Sequence, residues 1–190
     1  GINYETKPIH LNDVQPVMED TQYWKRGDVF ISIRNLSMVL LYRPSTNKIL
    51  WKGFGDFFYQ HDVDIIDDKH ISIFNNNYKR FKSSKGVDGF NEIILYNFEA
   101  EKYTTKLRNS LAFEEVKTYT GGCHKVLKNG DLFVQENDYG RLIYFNSQGN
   151  KVWSFINRDE NNSKLYKVGW CRIIDDNKEI ENIKKFIVPK

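Results

Sequence analysis

A chain of 190 residues with 40% hydrophobic and 15% aromatic content is long and apolar enough for one folded domain, its mean hydropathy of -0.60 reflecting abundant Asn and Lys rather than disorder. The 28 basic and 25 acidic residues are scattered and leave a net charge of +3, which excludes the basic stripe a nucleic-acid binder needs. No apolar run nears the roughly 20 residues of a membrane span, and the two cysteines, Cys123 and Cys171, lack the paired spacing of structural zinc.

The first candidate strand is IHLNDVQPV, opened by His10. From Gly27 the chain reads GDVFISIRNLSMVLLYRPSTNKILW: an alternating strand, a turn, a second strand from Met38 to Tyr42, an Asn-Lys turn and a closing Trp51. HDVDIIDDKHISIF follows from His61, then a polar insertion over 75–88, then NEIILYNFEAEKYTTKL. The stretch from Phe98 to Val116 alternates like two strands around Arg108 to Ser110 rather than at a helical period. GDLFVQENDYGRLIYFNSQGNKVW, from Gly130 to Trp153, lines up with the Gly27 segment with one residue of slippage, and GWCRIIDDNKEI from Gly169 repeats the apolar pair and double Asp of Ile65 to Asp68.

Short strands repeating about every 50 residues point to an all-β protein of four-stranded propeller-type blades, because a sandwich carries no such internal homology. The expected blades are 27–60, 61–109 and 121–158, with a part-blade at 164–180, all in a single propeller domain or a piece of one. Three and a half blades leave open edges. Further N-terminal blades or an oligomeric partner are expected to close the ring.

Three of the four histidines, His10, His61 and His124, stand where a copy's first strand begins; His70 lies within a strand and reads as structural. First strands line a propeller's channel, so the three converge on an axis. There, imidazoles bind metals, transfer protons or act as nucleophiles. Arg34 and Arg80 can present forked donors to an oxyanion, and Asn12, Asp13, Asp62 and Asn75 are candidate orienting groups. The aspartates at 64, 67 and 68 lack the spacing of a calcium loop. The two cysteines read as buried free thiols or, in an exported protein, as a pair.

The succession H-x-N-D, GDVFISIRN, ILWKGFGDFFYQHDVDIIDDKHISIFNNN, GGCHKVLKNGDLFV and GRLIYFNSQGNKVWSF resembles the arylsulfotransferase family of β-propellers. The resemblance runs from about His10 to Trp170, its most specific piece being W...G...QHD...ISIFNN. It implies a ring of about six blades in an exported, periplasmic-type protein. It implies sulfuryl transfer from an aryl sulfate to a phenol through a covalent sulfo-histidine, with no cofactor and no metal. On it, His124 is the candidate nucleophile, His10 and His61 hold sulfuryl oxygens or protonate the leaving phenoxide, and Arg80 clamps the anion, with Arg34, Asn12 and Asn75 as further substrate-binding candidates. The chain departs from the family at Asn77, Tyr78 and Lys79, where a compact, Gly-rich approach to the arginine is expected. The alternative is a non-catalytic propeller that binds a partner or glycan through an exposed aromatic patch of Phe54, Phe57, Phe58 and Tyr59.

Overall fold

The computed structural model describes residues 9–80, 85–161 and 163–187, the side chains of Arg80 and Lys85 excepted. Fourteen strands among these residues make three four-stranded antiparallel blades and one small ribbon. Blade 1 is β1 (Leu11–Pro16), β2 (Val29–Ile33), β3 (Met38–Arg43) and β4 (Lys48–Phe54), in sequential order. Blade 2 takes β5 (His61–Ile65), β6 (His70–Asn75), β9 (Glu92–Asn97) and β10 (Lys102–Lys106) in that order. Between β6 and β9 the polar insertion forms the ribbon β7 (Tyr78–Arg80) and β8 (Lys85–Val87). Blade 3 is β11 (Cys123–Val126), β12 (Leu132–Glu136), β13 (Arg141–Phe145) and β14 (Lys151–Ile156). Each blade is a meander with its first strand at one edge, and β5 lies beside both β1 and β11.

The alternation read in the sequence becomes burial where blades face one another. Between blades 1 and 2, Trp24, Phe30, Leu41, Phe57, Ile71 and Ile94 form a core against which Trp51, Phe98 and Tyr103 pack. Between blades 2 and 3, Phe74, Ile93, Leu132, Val134, Ile143 and Phe145 form a second. Burying such side chains is the main stabilising term, about 1.5–3 kcal/mol for each large apolar group.

The stretch beyond β10 corrects the two-strand expectation. After β10, Leu107 turns the chain through a left-handed φ of 49° into helix α1 (Arg108–Phe113), which buries Leu111 in the second core. Six residues carry too few helical repeats to leave a periodic signal. Blade 1 includes a first strand, β1, that precedes the expected 27–60 copy. In 164–180 the described residues form an isolated bridge, Arg158 to Leu165, and the start of helix α2 (Asn177–Phe186). Residues 168–171 still lie along blade 3, where the Cys171 N–H donates to Gln135 Oε1 at 2.8 Å. Both cysteines are free thiols.

Candidate functional site

The first strands are fastened to one another by carboxylates at β-bulges. β1 is bulged between Leu11 and Asp13, β5 between His61 and Val63. Such a bulge re-aims side chains along the strand. Asp13 on β1 accepts the Val63 N–H of β5 at 2.8 Å, and Asp62 on β5 accepts the His124 N–H of β11 at 2.6 Å. Asp62 holds a φ of 46°, a left-handed conformation that Asp tolerates better than most residues. Burial, opposed by the Val63 N–H, pushes the Asp13 carboxyl up to about 6.

One cluster gathers at the end of the blades where the first strands begin. His61 is half-buried there, its Nδ1 2.6 Å from Asn76 Oδ1. The Asn76 amide nitrogen donates to Thr118 O at 3.1 Å and Gly121 O at 2.9 Å, so its oxygen must be the atom facing His61. His61 therefore carries its proton on Nδ1, and its Nε2 lone pair accepts the Gly121 N–H at 3.2 Å. Gly121 and Gly122 both adopt positive φ, 65° and 94°, and a Cβ on Gly122 would sit 2.5 Å from the Phe74 ring, so the turn that presents this N–H requires glycine. Burial pulls the His61 pKa down to about 4; the neighbouring Arg34 and His10 act in the same direction, and Asn76 opposes them.

Arg34, just past β2, stacks on Tyr59 with its guanidinium carbon 4.8 Å from the ring centroid, and its backbone N–H donates to His10 O at 2.9 Å. From Tyr59 a row of rings crosses the blades: Tyr59 to Tyr78 at 5.5 Å, Tyr78 to Tyr119 at 6.5 Å, and Tyr119 to Tyr139 at 6.3 Å. The last two are exposed. Neither this row nor Asn76 figures in the sequence reading. The available signal is positional: each tyrosine falls just before a first strand or just after a second one.

His124 occupies a different environment. Its ring is fully buried, its Nδ1 donates to Asp62 Oδ2 at 2.8 Å, and its Nε2 has no hydrogen-bond partner. Asp62, Asp64, His124 and Lys125 line a cleft of about 410 Å³ closed on its other side by Trp170, Arg172 and Glu179. Lys125 Nζ stands 3.3 Å from Asp64, whose carboxyl is pushed up by burial, the neighbouring His124 opposing and Asp62 adding.

The remaining candidates divide. Asn12 donates to Gln60 O at 2.7 Å. Asn75 is buried and accepts the N–H groups of Phe58 and Asn77 at 2.9 and 2.8 Å, which shapes the loop beside Tyr78. The Arg80 side chain lies outside the described residues; its backbone pairs with Lys85 in the ribbon. Phe57 is wholly in the core while Phe54 and Phe58 are exposed, so Phe54, Phe57, Phe58 and Tyr59 do not form one surface patch. Among the described residues no helix is long and apolar enough to cross a membrane.

The sequence profile described as Arylsulfotransferase (ASST) matches residues 3–158. No curated protein matches the chain. Similar solved structures include the WD40 β-propeller domain of Doa1, at 15% identity and a TM-score of 0.48 over 76% of this chain and 40% of that one. A protein of unknown function from Bacteroides caccae has 14% identity and a TM-score of 0.49 over 74% and 48%. U3-55K has 9% identity and a TM-score of 0.46 over 81% and 44%. The chain thus spans less than half the length of each of these three.

Proposed function

Because the chain belongs to the arylsulfotransferase family, we propose that it transfers a sulfuryl group from an aryl sulfate to a phenol, with His61 as the group that carries it. The observation behind this choice is the fixed tautomer: Asn76 holds the proton on Nδ1 and leaves Nε2 with a lone pair, on a half-buried ring beside Arg34 and His10. His124, the nucleophile that the resemblance implies, has its ring fully buried against Asp62.

In the proposed reaction the Nε2 lone pair attacks sulfur and forms the N–S bond as the S–O bond to the aryl group breaks, its electron pair leaving on the phenolate oxygen. His10, as imidazolium, gives that oxygen a proton. The Gly121 N–H, released from Nε2, turns to a sulfuryl oxygen. Arg34 holds another. An incoming phenol then returns its proton to His10, attacks sulfur and breaks the N–S bond, whose pair goes back to Nε2. The test is release of nitrophenol from p-nitrophenyl sulfate by the full-length protein. Phenol-dependent release that vanishes in His61→Gln supports the reading, and release unchanged in that variant overturns it.

The tyrosine row, exposed at Tyr119 and Tyr139, favours a second reading, in which the same end of the blades binds a ring-bearing ligand without chemistry. That reading predicts ligand binding that survives His61→Gln, is lost in Tyr119→Ala, and is accompanied by no turnover in the wild type.

A further inference from the structure

Outside the His61 cluster the first strands of blades 2 and 3 bring another set of groups together. One carboxylate oxygen each from Asp62 and Asp64 and one ring nitrogen of His124 all lie within 4.8 Å of one another. Ligands bound at about 2.0–2.2 Å to a single ion stand no farther apart than about 4.4 Å, so the three reach one ion with small side-chain adjustments. A second observation is independent of this spacing. The His124 ring is fully buried, and Nε2 has no partner. A buried polar atom in that state costs about 1–3 kcal/mol unless something answers it. The carboxylates add their own demand, since Asp64 sits half-buried beside Asp62 with Lys125 Nζ 3.3 Å away as its counter-charge.

We propose that Asp62, Asp64 and His124 bind one divalent transition-metal ion, which clamps the first strand of blade 2 to that of blade 3. An imidazole with two carboxylates suits zinc, manganese or cobalt, whereas calcium and magnesium prefer all-oxygen shells. The cysteines are not ligands: Cys123 Sγ donates to Gln135 Oε1 at 3.2 Å and faces Cys171 O at 3.8 Å. The cleft of about 410 Å³ gives the ion and its remaining water ligands access. Lys125 is the ion's competitor, because its ammonium answers the same carboxylate. The ion takes no part in the chemistry at His61, so the proposal stands or falls separately from sulfuryl transfer.

Chelator-treated full-length protein would be titrated with zinc by calorimetry and with cobalt by visible absorption. The expected result is one saturable ion per chain that Asp64→Asn weakens by about tenfold or more. Cobalt should show d–d bands without thiolate charge transfer, and zinc should raise the midpoint of thermal unfolding. Lys125→Met, which removes the competing cation at a partly exposed position, should tighten binding. Ion-free melting of both variants establishes that they are folded. Absence of a saturable site in the wild type, or affinity unchanged in Asp64→Asn, overturns the proposal.

Discussion

His61 and His124 begin neighbouring first strands and look interchangeable in the sequence, yet the fold treats them in opposite ways. His61 is held by an uncharged amide and a backbone N–H, half-buried beside Arg34 and His10. His124 is held by a carboxylate and is fully buried. A neutral partner leaves the ring's electron pair available and its surroundings cationic, which suits attack on an anionic ester. A carboxylate partner makes the ring a strut between blades. The difference comes from the residue each ring meets, Asn76 just past the second strand of its own blade for His61 and Asp62 on the first strand of the neighbouring blade for His124.

Exchanging each histidine for Gln breaks the comparison most directly. His61→Gln should lower the rate of transfer by about a thousandfold or more, because a residue that carries the group has no substitute. His124→Gln should leave the rate within about tenfold of the wild type and act on stability instead, since its effect on reactivity is indirect. Steady-state kinetics alongside urea unfolding separates the two. Next in size, Arg34→Met should lower kcat/KM by about a hundredfold, the usual loss for one oxyanion donor, while leaving the unfolding midpoint nearly unchanged. An equal fall in stability would show that the guanidinium serves Tyr59 rather than the substrate.

The carboxylates sharpen the comparison further. Asp62→Ala removes the acceptor of both the His124 backbone N–H and its Nδ1. The variant should lose about 3 kcal/mol of unfolding free energy, because two buried donors are left unpaired. Asp13 is the corresponding fastening one blade earlier, with the Val63 N–H and no imidazole. Its carboxyl is raised in the fold from 3.8 to about 6. The folded state therefore favours the protonated form; that contribution is fully present below pH 3.8 and is lost as pH rises through 6. Asp13→Asn should be more stable than the wild type by about 1–2 kcal/mol at pH 8 and indistinguishable from it near pH 3.5, less than full linkage because the site keeps some solvent. Urea midpoints at the two pH values measure it.

The blades were legible because each copy repeats its own pattern, from Gly-Asp through alternating apolar residues to Trp51 or Trp153. What those tryptophans do was not legible. Trp51 packs on Tyr96 and Phe98 between blades 1 and 2, whereas Trp153 stacks on Tyr144 and stays 41% exposed. A repeat defines a face, and its neighbour decides whether that face is core. The histidine positions were likewise readable as strand starts. Asn76, the Gly121 N–H and the tyrosine row were not, because they meet across blade junctions whose register is moved by the bulges at Asn12 and Asp62. Helix α1 is too short, at six residues, to leave a periodic trace.

The most direct test of the central claim is to trap the sulfo-enzyme. The full-length protein would be treated with p-nitrophenyl sulfate without acceptor, digested at mildly alkaline pH and mapped by mass spectrometry for an added SO₃. The account predicts the adduct on the peptide containing His61, discharged by phenol, absent in His61→Gln and retained in His124→Gln. An adduct on the His124 peptide, or phenol-dependent turnover with none on His61, would contradict it.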